Sequence, residues 1–181
     1  MAVEFRSSFS TPFGVGAVYA SEHGIIKVDL PEMSQVATAL QENSPEVESS
    51  RLTEYASALL QRYFTGERIE FMDIPVDLKG VPPFRCKALR AIREIQYGDV
   101  RSYGQIAKEC GSPNAARAVG GAMASNPVPV IIPCHRIVGG KGRLTGFSAP
   151  GGETVKMMLL KMEGVEFKGL LVMQKQLVMN R

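Results

Sequence analysis

Histidine and cysteine are scarce in this chain, with two of the former and three of the latter among 181 residues. Cys86, Cys110 and Cys134 stand far apart and form no CxxC pair. That spacing excludes both a disulfide framework and a four-ligand zinc site, so free thiols are expected, with no metal and no cofactor. The opening "MAVEFRSSFS" has no basic stretch followed by an apolar one, and no apolar run approaches a membrane span. A signal peptide and a membrane helix are therefore not expected, and the chain reads as cytoplasmic with no membrane partner. Internal repeats and low-complexity segments are missing too. What is present is an ordinary globular composition, 45% hydrophobic and 22% charged, long enough for one good core or two small ones.

The small net charge of +3 hides an asymmetry. Residues 1–84 carry six basic and twelve acidic side chains, whereas residues 85–170 carry thirteen basic and six acidic ones. The second half is the candidate nucleic-acid binder, although charge alone fits a solvated surface equally well.

The first half reads as mixed α and β. "EFRSSFSTPFGVGAVYASEHGIIKVDLP" alternates short Val-, Ile-, Phe- and Tyr-rich runs with the breaks "TPFG" and "SEHG", which predicts an antiparallel hairpin or meander with His23 in an exposed turn. Ser44 and Pro45 read as the cap and first position of a helix that carries Leu52, Tyr55, Ala56, Leu59, Leu60 and Tyr63 and ends at Gly66. "RIEFMDIPVDL" reads as a further strand. "KGVPP" is the best domain boundary in the chain.

The second half reads as short helices. Leu89, Ile92 and Ile95 form one apolar stripe, with Cys86 as helix packing. Ser102 and Gln105 have capping-box spacing and open a helix of barely two turns that closes at Gly111, with Cys110 at its core-facing end. Ser112 and Pro113 are expected to start the next helix, and Pro127 to stop it after Asn126. Two short helices around a brief turn make a helix-turn-helix. In the second of them, Arg117, Gly120, Gly121 and Ala124 share one face, opposite Val119 and Met123. Two interior glycines cost about 1 kcal/mol each relative to alanine, so the face calls for a close approach, either to another helix or to a DNA groove.

"NPVPVIIPCHRIVGG" poses the chemical question. Cys134 is either a buried spacer or a nucleophile, and a free thiol with a pKa near ~8.5 needs a base or a cation beside it. His135 is the obvious base. On a regular strand, however, adjacent side chains point to opposite faces, so the backbone must turn or a water must bridge. Arg136 is either an electrostatic aid to the thiol or a structural donor. Glu163, on a helical stripe with Lys156, Leu159 and Leu160 just before Gly164, is either the group that orients His135 or a surface carboxylate at a helix end.

These motifs carry a resemblance. "SYGQIA", "ARAVGGAM", the "NP" that precedes the cysteine, and "PCHR", in this order and spacing within residues 84–164, resemble the O6-alkylguanine-DNA alkyltransferase (methylated-DNA–protein-cysteine methyltransferase) family over about half of the chain. The resemblance implies an α+β protein: a ribonuclease-H-like N-terminal α/β domain with antiparallel strands (1–82), a mainly helical, winged helix-turn-helix-like C-terminal domain (83–168), and a tail (169–181). It implies direct-reversal repair, in which duplex DNA is bound through the minor groove, the damaged base is flipped out, and its O6-alkyl group moves irreversibly to cysteine. Cys134 would be the acceptor, His135 its water-bridged base and Glu163 the partner of the histidine. Asn126 would hold the turn before the cysteine loop, and Tyr103 would assist rotation and protonation of the base. Arg117 would fill the space of the flipped base, with Ala116, Gly120, Gly121, Ala124 and Ser125 along the groove. Ile137 and Ser148 would hold the guanine.

Further expectations follow from the same resemblance. The partner is duplex DNA carrying O6-alkylguanine, O4-alkylthymine is a further candidate substrate, and the protein acts as a monomer, with cooperative binding along DNA left open. The loop "GFSAPGG" departs from the family's "YSGG" form in having Phe147 and two additional residues. A DNA-binding regulator without transfer and a thiol hydrolase or redox enzyme are the competing classes. The regulator leaves "PCHR" and Glu163 unexplained, and the thiol enzyme leaves the Arg117 helix unexplained.

Overall fold

The structure is a computed structural model that describes residues 4–31, 47–148 and 151–173. The chain forms two compact units, Met1–Lys79 with Pro127–Ile131 and Gly80–Asn126 with Ile132–Arg181. The α+β class expected from the sequence holds, with antiparallel strands and one helix in the first unit and mostly helices in the second. Among the described residues no helix is long and apolar enough to cross a membrane.

In the first unit, β1 (Phe5–Thr11), β2 (Gly14–Ser21) and β3 (Gly24–Asp29) form the expected antiparallel meander. The helix α1 (Arg51–Phe64) packs on β1 and β2. Phe9 stacks on Phe64 with ring centroids 6.2 Å apart, and Val18, Ala20, Ile25, Ala56 and Leu60 complete a buried apolar core. His23 is exposed in its turn.

Two expectations fail in this unit. Ser44 and Pro45 lie outside the described residues, and α1 starts at Arg51, capped by Ser50, whose hydroxyl accepts from Thr53 N while Thr53 Oγ1 accepts from Ser50 N. The buried stripe is accordingly Thr53, Ala56, Ser57, Leu60, Tyr63 and Phe64, and Tyr55 is 53% exposed. The run 68–78 is not a strand: only Val76 bridges, in parallel, to Ile25, after a turn and Pro75, which has no N–H to donate. Ile69, Phe71 and Ile74 are buried as separate anchors instead.

The second unit contains α2 (Pro83–Arg93), β4 (Arg101–Ser102), α3 (Tyr103–Glu109), α4 (Ala116–Ala124), β5 (Ile137–Val138), α5 (Gly152–Met162) and a hairpin of β6 (Phe167–Lys168) and β7 (Leu171–Val172). Leu89, Ile92, Ile106, Val119 and Ala122 are buried in the three-helix cluster α2–α3–α4. A second cluster joins Val100, Val138, Leu144, Leu160, Val165 and Val172. Cys86 is half-buried in α2, and Cys110 is buried at the end of α3.

The start of α3 follows expectation, with Ser102 and Gln105 forming a reciprocal capping box. The start of α4 does not. Ser112 N–H bonds to Ala107 O and Gly111 N–H to Lys108 O, with Gly111 at φ +73°, so Ser112 closes α3 in a Schellman motif and is unavailable to open α4. Pro113 then sits inside a turn closed by Ala115 N–H to Ser112 O, and α4 begins at Ala116 without a side-chain cap.

Gly16 offers a test of the first unit. It lies opposite Phe9 in the β1–β2 register, and a Cβ there would sit 2.3 Å from the Phe9 ring and 2.7 Å from Asp29 O. Gly16→Ala is expected to lower the unfolding free energy by about 1–3 kcal/mol, read as a lower urea midpoint at unchanged slope. An unchanged midpoint would mean that the Phe9 ring yields without cost.

Candidate active site and nucleic-acid interface

Cys134–Arg136 is one turn of 3-10 helix, closed by Arg136 N–H to Pro133 O at 2.9 Å. Successive side chains therefore diverge by about a third of a turn instead of pointing to opposite faces. The backbone does turn at "PCHR". All three residues are buried, with Cys134 5%, His135 0% and Arg136 3% exposed.

Glu163 is the residue on which the turn converges. α5 ends in a second Schellman motif, Gly164 N–H to Lys161 O and Val165 N–H to Leu160 O, which fixes Glu163 as the last half-helical residue. His135 Nε2 lies 2.8 Å from its Oε1. Arg136 Nη2 donates to the same oxygen and Arg136 Nε to Oε2, both at 2.9 Å, and Gly98 N–H reaches Oε2 at 3.4 Å. Both carboxylate oxygens are thus engaged. Arg136 also donates to Ile95 O and lies 5.8 Å from the centre of the Tyr97 ring, so it is a structural donor to Glu163.

The electrostatics follow from burial and these partners. Burial pushes the Glu163 carboxyl up, but His135 and Arg136 together outweigh it and hold the group at about 2. Burial pushes His135 below the ordinary imidazole range, helped by Arg136 and Lys156 against the pull of Glu163, so the ring is neutral at pH 7. With Nε2 on Glu163, Nδ1 is the nitrogen placed to take a proton from elsewhere. Burial pushes the Cys134 thiol up, and a hydrogen bond with Asn126, the charge of Lys156 and local backbone groups offset only part of this. The resting sulfur is a thiol in need of a base.

Asn126 Nδ2 also donates to Ile132 O at 2.9 Å, spanning the segment between α4 and the cysteine turn. Tyr103 opens α3, and its hydroxyl donates to Thr145 O at 3.5 Å. Burial pushes its pKa up, and the charge of Cys134 acts in the same direction. Ile137 is buried in β5, paired with Arg101 in the parallel β4–β5 ladder that brings the start of α3 beside the cysteine turn. Ser148 is exposed and donates to Met123 O at 3.4 Å.

The sequence did not single out Lys156 as a site residue. It is fully buried on the apolar face of α5, donates to Thr145 O and Gly146 O at 2.7 and 3.0 Å, and is pushed down by burial to about 8 against the charges of Cys134 and Glu153. Its one trace in the sequence is a lysine sharing a stripe with Leu159, Leu160 and Glu163.

On α4, Arg117, Ala124 and Ser125 are exposed and Ala116, Gly120 and Gly121 half-buried, while Val119, Ala122 and Met123 face the core. A Cβ on Gly121 would meet nothing within 4 Å, and one on Gly120 only the Tyr103 ring at 3.9 Å. Close helix packing among the described residues therefore does not call for these glycines. The two interior glycines, about 1 kcal/mol each, leave room on the outer side of the helix. Among the described residues no group of three His, Cys, Asp or Glu could hold a metal ion.

The buried network predicts acid sensitivity. Glu163 is depressed, so its contribution to stability is present above the ordinary carboxylate value of 4.5 and is lost as pH falls towards about 2. His135 is depressed as well: the unfolded chain gains a proton below its ordinary value of 6.5 that the folded chain refuses. Stability should decline from about pH 6.5 downward and more steeply below about 4.5, measured as urea midpoints against pH. Glu163→Gln should cost about 3 kcal/mol at pH 7, because it leaves the buried Arg136 charge poorly compensated.

Comparison with known proteins agrees with this architecture. Residues 83–165 match the family model described as 6-O-methylguanine DNA methyltransferase, DNA binding domain, and residues 5–78 match that of its ribonuclease-like domain. The methylated-DNA–protein-cysteine methyltransferase of Methanosarcina acetivorans is 36% identical over 160 residues, 88% of this chain and 98% of that protein. The constitutive methylated-DNA–protein-cysteine methyltransferase of Bacillus subtilis is 36% identical over 167 residues, 92% of this chain and 99% of its own. The crystal structure of Mycobacterium tuberculosis OGT in complex with DNA superposes with a TM-score of 0.72 at 32% identity, covering 88% of this chain and 93% of that one. With relatives at this identity over nearly the whole of both chains, and with both domains matched, the chain belongs to the methylated-DNA–protein-cysteine methyltransferase family.

Proposed function

We propose that Cys134 accepts the alkyl group of O6-alkylguanine flipped out of duplex DNA, once per protein molecule. The observation that carries this reading is a buried thiol adjoining a neutral histidine and a fully engaged glutamate, in the same unit as a helix whose glycine face is open. The α4 face enters the minor groove, Arg117 fills the space left by the base, and Ala116, Gly120, Gly121, Ala124 and Ser125 lie against the backbone. Ile137 and Ser148 hold the guanine. Asn126 keeps the cysteine turn in register with α4.

The reaction is an in-line displacement at carbon. The thiol proton passes through a water to His135 Nδ1, and the imidazolium is stabilised by Glu163. Sulfur forms its bond to the alkyl carbon while the carbon–O6 bond breaks and its electron pair goes to the guanine. The Tyr103 hydroxyl gives the base a proton, and the proton held on His135 passes on through water to the tyrosinate, which restores both residues. The products are a neutral thioether and unmodified guanine, so the protein is consumed. O4-alkylthymine presents the same leaving oxygen and is a second candidate substrate. No step needs a second copy of the chain, and a monomer suffices.

The test is an intact-protein mass after mixing with excess duplex containing O6-methylguanine, followed by peptide mapping. One methyl on the Cys134 peptide per guanine restored is expected, and none in Cys134→Ser, which should still bind DNA. Binding without methyl uptake by the wild type would make the protein a lesion sensor, and neither binding nor uptake would favour a thiol enzyme. Arg117→Ala should slow transfer from duplex by at least about tenfold, since base unstacking costs a few kcal/mol. Affinity should fall with salt at a slope of about −0.9 per neutralised phosphate.

A further inference from the structure

The loop that carries Ser148 lies outside regular secondary structure, yet its backbone is held at several points by side chains. Gly146 N–H donates to Glu153 Oε1 at 3.1 Å, and Gly146 O accepts from Lys156 Nζ at 3.0 Å. Thr145 O accepts from Lys156 Nζ at 2.7 Å and from the Tyr103 hydroxyl at 3.5 Å. Glu153 and Lys156 are one turn apart on α5, where their side chains share a face. Two opposite charges on one helix thus hold both polar groups of Gly146, and Lys156 shares the Thr145 carbonyl with Tyr103.

Complete burial of a lysine is costly, and simple packing does not require it. A leucine or methionine would fill the same space. The ammonium is retained where its three donors can tie carbonyls that no strand or helix satisfies, and where the charges of Cys134 and Glu153 favour it.

We infer that Glu153 and Lys156 are a positioning pair for the alkyl transfer, clamping residues 145–148 so that the Tyr103 hydroxyl and the Ser148 side of the base pocket meet the flipped base in a fixed geometry. The inference rests on the proposed role of Cys134. Neither residue is hydrogen-bonded to the reacting atoms: Glu153 acts through the loop alone, and Lys156 acts through the loop while its charge also offsets part of the burial cost on the Cys134 thiolate. Loosening the loop displaces the proton donor relative to the leaving oxygen, a kind of misplacement that costs about 100-fold in rate. Glu153 is exposed and its removal leaves the core intact.

The experiment measures three quantities in each variant: the single-turnover rate of methyl transfer from an O6-methylguanine duplex, the affinity for undamaged duplex, and the rate of Cys134 alkylation by iodoacetamide. Lys156→Met should slow transfer by about 100-fold and Glu153→Ala by about tenfold. Glu153→Gln, which keeps the acceptor oxygen, should recover most of the loss in Glu153→Ala. Affinity for undamaged duplex should stay within about twofold, because the α4 face is untouched, and iodoacetamide should react with Glu153→Ala as fast as with wild type. Transfer at the wild-type rate in both Lys156→Met and Glu153→Ala would overturn the clamp. So would a loss of iodoacetamide reactivity equal to the loss of transfer, since the pair would then be acting on the thiol. Should Lys156→Met fail to fold, Glu153→Ala and Glu153→Gln decide the matter alone. A wild-type protein that takes up no methyl would overturn the proposed role of Cys134, an outcome distinct from failure of the clamp.

Discussion

The Glu163 carboxylate is the interaction on which the second unit depends. Three chain segments meet at its two oxygens: the cysteine turn through His135 and Arg136, the loop after α2 through Gly98, and α5, whose end it forms. A buried carboxylate is tolerated only when it is fully paired, and here the pairing serves two purposes. Arg136 supplies the full positive charge that keeps Glu163 ionised. His135 can therefore remain neutral and still have an anion waiting to stabilise its protonated form. Arg136 also pushes His135 down, so without the arginine the imidazole would be more readily protonated at rest and less often free to take up a proton.

The position of Glu163 depends in turn on how helices end. Three helices, α1, α3 and α5, close with a glycine in the left-handed region and the same pair of backbone bonds. For α5 the motif sets the carboxylate at the helix terminus and puts Val165 against Leu160 within one apolar cluster. For α3 it consumes Ser112. Local backbone chemistry thereby determines both where Glu163 stands and where α4 begins.

Legibility in the sequence tracked how local the cause was. The capping box at Ser102 and Gln105, the meander in β1–β3, and Glu163 before Gly164 all depend on residues within a few positions of one another, and the structure has them as expected. The failures are competitions between neighbours. Ser112–Pro113 looked like a helix start but had been taken by the preceding helix end. Residues 68–78 had strand composition, but their buried side chains anchor an irregular path. Structural donation was one of two roles legible for Arg136, but its partner, like the role of Lys156, was not: the partners lie 27 residues away at Glu163 and 10 and 11 residues away at Gly146 and Thr145. No periodicity records such pairings. The open side of Gly121 shows in the sequence only as a cost with two alternative causes, and the empty space around a Cβ at that position removes helix packing among the described residues as one of them.

Burial of the thiol also bears on why the proposed reaction runs once. Desolvation keeps Cys134 protonated at rest, so sulfur becomes nucleophilic only while its proton is passing to His135. The forward reaction ends with a neutral thioether, which the buried site accommodates at no electrostatic cost. Returning the alkyl group to water would require displacement in the opposite sense, with sulfur leaving as a thiolate. The same desolvation that delays formation of that charge on the way in would oppose its release on the way out, and the His135 proton, already returned, is no longer there to neutralise it. A site that burns its nucleophile is therefore what a buried thiol with a single shared base produces, and turnover would need either a more solvated sulfur or a second acid beside it.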